Sequence, residues 1–124
     1  MKLLLDTHAL LALLSRDPPL SPGARAAMQR PDAQLIVSAV SVWEIAIKRA
    51  LGKLEAPDDL IERVGEAGAE LLSITARHAE AGGGLPLHHR DPFDRLLAAQ
   101  AKLEGCAIVT KDPAFAAYGV PVVW

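Results

Sequence analysis

Five acids in this chain stand where carboxylates can act together: Asp6, Glu44, Asp91, Asp94 and Asp112. Asp6 directly follows the apolar run KLLL, Glu44 lies in SVWEIAIK, Asp91 and Asp94 flank a proline in HHRDPFDRLL, and Asp112 sits in TKDPAF. Oxygen donors of this kind suit Mg2+ or Mn2+, which keep part of their water shell and are held by a few carboxylates together with substrate phosphate. Such an ion activates water and stabilises the charge that develops as a phosphodiester is cleaved. Carboxylates gathered without an ion repel one another, and a cation makes their proximity tolerable.

Each acid also has a purely structural explanation. Asp6 can cap the first helix, and Asp112, placed before Pro113, can cap a short one. Ser41-Val-Trp-Glu44 matches a capping box, in which Glu44 reaches back to the Ser41 backbone N–H. Glu44 can also pair with Lys48 one turn on, a surface contact contributing roughly 0.2–0.5 kcal/mol. Asp91 before Pro92 fits an N-cap followed by proline at the first helical position, with Asp94 completing a capping pair. Separate caps have no reason to converge, so the choice rests on which elements carry these residues.

Short apolar runs alternate with helical patterns along the chain. Strands are predicted over 2–5, 34–38, 70–74, 106–110 and 120–124. Helices are predicted over 7–15, about 22–30, 41–52 with Gly52 as its stop, 58–68, 75–82 closed by the glycines at 82–84, and 92–105 stopped by Gly105. PAFAAYG forms a short helix or turn. Continuous rather than alternating apolar strands, interleaved with helices, predict a parallel sheet covered on both faces. The expected fold is therefore α/β, one α/β/α sandwich with a central parallel sheet spanning residues 1–124. Ligands of such sheets bind beyond the carboxyl ends of the strands, and parallel topology brings Asp6, Glu44 and Asp112 toward that rim. No basic cluster of comparable density is evident there.

With 124 residues, 51% hydrophobic and 23% charged, the chain reads as globular rather than disordered. No apolar run reaches the ~18 residues of a membrane span, and MKLLL meets Asp6 too soon for a secretory signal. The single cysteine, Cys106, lies in an apolar run and rules out an internal disulfide framework. A cytoplasmic location without membrane attachment is expected. The net charge of −2 means that charge alone does not recommend a nucleic-acid partner, and phosphate repulsion would need an offsetting cation.

In order along the chain, LLLDTHALL, VSAVSVWEIAIKRALGKL, LPLHHRDPFDRLLAAQA and AIVTKDPAFAAYGVPVV resemble the successive motifs of PIN-domain ribonucleases, and in particular the toxin half of a VapBC-type toxin–antitoxin pair. The resemblance covers essentially the whole chain, and four motifs in the right order are specific where one is not. It implies a metal-dependent endoribonuclease using Mg2+, with Mn2+ able to substitute. It assigns Asp6, Glu44, Asp94 (heading an Asp-x-x-x-Ala-Ala helix) and Asp112 as the metal-binding and catalytic acids. Asp6 and Asp94 would hold the ion most directly, and the others would act through water or hold a second ion. Thr110, Thr7 and Asp91 are supporting candidates. Water would attack in line at RNA phosphate, leaving 3′-hydroxyl and 5′-phosphate ends. The family also implies a homodimer, blocked by a small antitoxin protein that reaches into the acidic site with a basic residue. Many relatives carry an aromatic residue where this chain has Ala12, a difference of packing.

Other polar and aromatic residues weigh less. His8, two positions after Asp6, can donate to a phosphate or carboxylate but reads first as an ordinary helix residue. Adjacent His88 and His89 point to opposite sides of an extended chain and have no Cys/His partners at structural-zinc spacing. Trp43 and Phe93 are expected in the core. Lys48, Arg49, Lys53, Arg90 and Arg95 offer at most a modest phosphate-binding rim. Three other readings compete: a solitary PIN-type nuclease in RNA processing, a non-catalytic α/β binding module whose acids are caps, and an aspartyl-phosphate phosphatase. The last would want a second Asp at position 8, where this chain has His.

Overall fold

A computed structural model describes residues 1–15, 19–88 and 90–124; His89 lies outside them. Five strands form one sheet: β1 (Lys2–Leu5), β2 (Gln34–Ser38), β3 (Glu70–Leu72), β4 (Ala107–Val109) and β5 (Val122–Val123). Their spatial order is β3-β2-β1-β4-β5 and every pairing is parallel, with Leu3 opposite Leu35 on one side and Ala107 on the other. The helices are α1 (Thr7–Ser15), α2 (Pro22–Met28), α3 (Ala39–Ala50), α4 (Leu60–Glu66), α5 (Ala76–Gly84) and α6 (Pro92–Glu104), with a 3₁₀ helix over Pro113–Tyr118.

The pleat divides the apolar strand residues between two cores. Leu3, Leu5, Val37 and Val109 pack with Leu10 of α1, Met28 of α2 and Val64 of α4. Leu4, Ile36 and Ile108 pack on the opposite face with Leu97 and Ala98 of α6 and with Phe115. Alternate side chains of a strand point to opposite faces, so a run such as KLLL is stable only between two apolar layers. Leu3, Leu4 and Leu5 are all fully buried, each stabilising the fold by roughly 1.5–3 kcal/mol. Cys106 is buried, as expected.

Chain order runs outward from β1 to β2 and β3, then returns to the other side of β1 for β4 and β5. The carboxyl ends of β1 and β4 therefore flank the switch point, where neighbouring connections leave in opposite directions and open a crevice.

Three expectations are corrected. The third helix begins at Ala39, with Ser38 as its cap, because Ser38 Oγ accepts the Val40 N–H at 3.0 Å. Ser41 is thus already inside the helix, and the Ser41–Glu44 capping box does not form. Second, α5 continues through Gly82, Gly83 and Gly84. A Cβ on Gly82 would stand 3.4 Å from Leu96 Cα, so its bare backbone permits close packing of α5 on α6. Third, Trp43 is not core: it is 57% exposed, edge-on to Phe93 with ring centroids 5.2 Å apart. It occupies the outer face of α3, while Val40, Ser41, Glu44 and Ile45 take the buried face.

Candidate active site

At the switch point a cleft of about 270 Å³ is lined by Asp6, Thr7, His8, Glu44, Lys48, Asp91, Asp94, Lys111, Asp112 and Phe115. All five acids singled out from sequence meet here. A larger hollow of about 470 Å³, bordered by Ala12, Leu13, Leu20 and Met28, has no carboxylate among its lining residues. Chemistry rather than size therefore selects the smaller cleft.

Each side of the cleft is built by an element end. Asp6 ends β1, where its backbone N–H donates to the Val109 carbonyl at 3.1 Å. Its carboxylate accepts the Ala9 N–H at 2.7 Å, capping α1, and also accepts a hydrogen bond from the Thr110 hydroxyl. Thr110, fully buried just after β4, accepts the Asp112 N–H at 3.0 Å on the same hydroxyl. One threonine thereby ties the first acid to the loop carrying the last. Asp112 in turn accepts the Ala114 N–H at 2.9 Å and caps the 3₁₀ helix.

Across the cleft, Glu44 projects from the buried face of α3 and is only 5% exposed. Its Oε1 accepts from Thr7 Oγ1 at 2.6 Å, and its Oε2 from Lys48 Nζ at 2.7 Å. The third side is the start of α6. Asp91 caps it by accepting the Phe93 N–H at 2.9 Å, with Pro92 opening the helix and Asp94 in its first turn. The positive end of the helix dipole favours ionised Asp94.

Burial dominates the electrostatics of Asp6 and pushes its carboxyl above the ordinary range. The bonds from Thr110 and Ala9 and the nearby His8 oppose the shift, and the charge of Glu44 adds to it. Lys48 is shifted the other way in charge terms: its hydrogen bond to Glu44 holds the ammonium more firmly protonated than usual. Asp91 and Asp94 contribute through space.

Capping and convergence are thus compatible, since Asp6, Asp91 and Asp112 each cap an element and each face the cleft. Thr7 and Thr110, named from sequence as supporting residues, donate to Glu44 and Asp6. Lys48, named from sequence as part of a modest basic rim, lines the same cleft, and Lys111 joins it. Lys111 was missed, although its position beside Asp112 after β4 is a usable signal. His8 lines the cleft as well, whereas His88 lies edge-on to Tyr118. Among the described residues, no three carboxylate, thiol or imidazole side chains are drawn together into a ready-made metal cage. The donor set facing the cleft is nonetheless rich in carboxylate oxygen and lacks thiolate, which suits a hard divalent ion.

The chain is thus a parallel α/β sandwich with an acid-lined cleft at its switch point. The PIN domain family matches residues 3–121, and the chain belongs to that family, whose members are nucleases. Among solved structures, the fold is similar to that of a chain of VapBC2 from Rickettsia felis bound to a fragment of promoter DNA. The two share 14% identity with a TM-score of 0.71, covering 98% of this chain and 97% of that one. DNA-bound VapBC from Salmonella typhimurium gives 19% identity and a TM-score of 0.66 over 98% and 96% of the chains. A toxin–antitoxin complex from Klebsiella pneumoniae gives 22% and 0.65 over 98% and 95%. These likenesses are of fold. A comparison with curated protein sequences gave no match. No helix among the described residues is long and apolar enough to cross a membrane.

Proposed function

We propose that this chain is a divalent-metal-dependent endoribonuclease, the toxin of a VapBC-type pair, neutralised by a small antitoxin and acting as a homodimer. The observation that carries the reading is the meeting of Asp6, Glu44, Asp91, Asp94 and Asp112 in one cleft at the switch point of a PIN fold. Fold similarity to chains of VapBC complexes supports the toxin assignment.

Asp6 and Asp94 would hold the ion, with Asp112 and Glu44 completing the acid set; Mg2+ is the expected ion and Mn2+ would substitute. When bound, the ion supplies a Lewis acid for the phosphate and lowers the pKa of water. The remaining work belongs to the chain. Thr110 aims the Asp6 carboxylate, the start of α6 aims Asp94, and Thr7 fixes Glu44. Lys111, His8 and Lys48 offer positive or donor groups to phosphate oxygens that would otherwise meet only negative charge. Asp91 sets the helix start.

Wild type and Asp6→Asn should be incubated with a panel of structured RNAs in Mn2+, with and without EDTA. Cleavage is expected to need the ion and to fall at least about 100-fold in the variant, the scale on which removing one preorganised charge-stabilising group acts. Equal metal-dependent cleavage by both proteins would show the assigned site to be wrong. Induced expression should arrest bacterial growth for wild type and not for Asp6→Asn. Cleavage in vitro without arrest would favour a solitary processing nuclease.

A further inference from the structure

Both carboxylate oxygens of Glu44 accept from protein donors, one of them a lysine on the same helix. Thr7 Oγ1 lies 2.6 Å from Oε1, and Lys48 Nζ lies 2.7 Å from Oε2. As a surface pair one turn apart on a helix, Glu44 and Lys48 would contribute little. Here the carboxylate is inside, while the lysine side chain is 39% exposed and runs from the same helix face into the cleft. The ammonium also feels the charges of Asp91 and Asp94. It is therefore a permanent positive charge set among three carboxylates. An ammonium has three N–H donors, of which Glu44 takes one. A two-ion phosphodiesterase places a second divalent cation among acids on the far side of the substrate phosphate. This cleft already holds a lysine among its acids.

We infer that Lys48 serves as the second cation of this site: it secures Glu44 and neutralises that side of the cleft, so that the chain takes up one divalent ion rather than two. The inference rests on the metal-dependent reading above and extends it to stoichiometry. The single ion belongs with Asp6, Asp94 and Asp112. Glu44 is held in place by Thr7 and by a lysine of its own helix.

The test counts Mn2+ bound to the full chain by the loss of the free-ion electron paramagnetic resonance signal. The proteins are wild type, Lys48→Met, Lys48→Arg, Glu44→Gln and the Lys48→Met/Glu44→Gln pair, each checked for folding by circular dichroism in EDTA. One Mn2+ is expected for wild type, Lys48→Arg and Glu44→Gln. Lys48→Met is expected to take up two, and the double variant one again. Two ions on wild type, or one on folded Lys48→Met, would overturn the inference while leaving a metal site intact. No Mn2+ on wild type would overturn the metal reading and this inference with it. Should Lys48→Met not fold, Lys48→Gln replaces it, with two Mn2+ expected and one overturning the inference.

Discussion

Asp6 condenses the conflict that runs through the candidate site. Its carboxylate is buried and caps α1, yet it faces a cleft shared with four other acids. Burial raises its pKa above the ordinary 3.8, so the folded chain holds that proton more tightly than the unfolded chain does. Ionised Asp6 therefore costs stability at every pH above its folded pKa, and the cost fades as the pH falls through that value. Asn keeps a capping oxygen without the charge. In EDTA, Asp6→Asn is expected to melt higher than wild type at pH 7.5, by roughly 3–6 °C for about 1 kcal/mol. The gain should shrink steadily as melts are repeated toward pH 4. A lower melting temperature at pH 7.5 would mean that the carboxylate's hydrogen bonds outweigh its burial. The positions of Asp6, Asp91, Asp94 and Asp112 were legible because each follows a strand or opens a helix. That Glu44 bonds Thr7 was not, since 37 residues separate them and only the fold brings α1 against α3.

At the level of elements, α3 and α6 carry Glu44 and Asp94, and a buried polar chain ties them together. Ser38, which caps α3, donates to Gln100 Oε1 in the middle of α6. Gln100 is fully buried, and its Nε2 lies 3.3 Å from both the Ser73 carbonyl and His78 Nδ1. His78 Nδ1 also accepts the Thr75 N–H at 3.1 Å, which assigns the remaining ring proton to Nε2, facing Glu104 at 3.4 Å. Gln100→Leu would keep the volume and strip partners from Ser38, Ser73 and His78. Leaving buried polar groups unsatisfied costs about 1–3 kcal/mol, so urea denaturation should show a loss of that size. A variant as stable as wild type would mean that the network adds nothing beyond packing. Helix and strand positions were readable from apolar periodicity and from stops such as Gly105, whose φ of 68° suits glycine. The start of α3 and the run of α5 through its glycines were not readable, because both depend on contacts with α6.

For the molecule as a whole, a net charge of −2 and an acid-lined cleft are a poor match for RNA unless cations intervene. Proteins that bind nucleic acid by charge alone carry an excess of Lys and Arg on one face. Under the proposed function, RNA binding as well as cleavage should need a divalent ion. With Ca2+ in place of Mg2+, gel-shift affinity for a structured RNA is expected to rise at least about 10-fold over EDTA. Asp94→Asn is expected to lose that gain. Equal affinity in Ca2+ and EDTA would mean that Lys48 and Lys111 suffice to hold the phosphate. The same charge distribution suits an antitoxin presenting a basic residue, which would compete for the cleft.

The sequence by itself determined the parallel α/β sandwich, since strands with successive apolar residues require cover on both faces. It also determined which acids follow strands or open helices, and so which could meet at the rim of a parallel sheet. Only the tertiary structure decided how those acids are held. Thr110 joins Asp6 to the Asp112 loop because β1 and β4 are neighbours, and Lys48 becomes part of the cleft because Glu44 is buried rather than solvated. Trp43 turns outward for the same reason, as the face of α3 that holds Glu44 is the one packed inward. A sequence records spacing along a helix; which face of that helix is buried depends on residues far away in the chain.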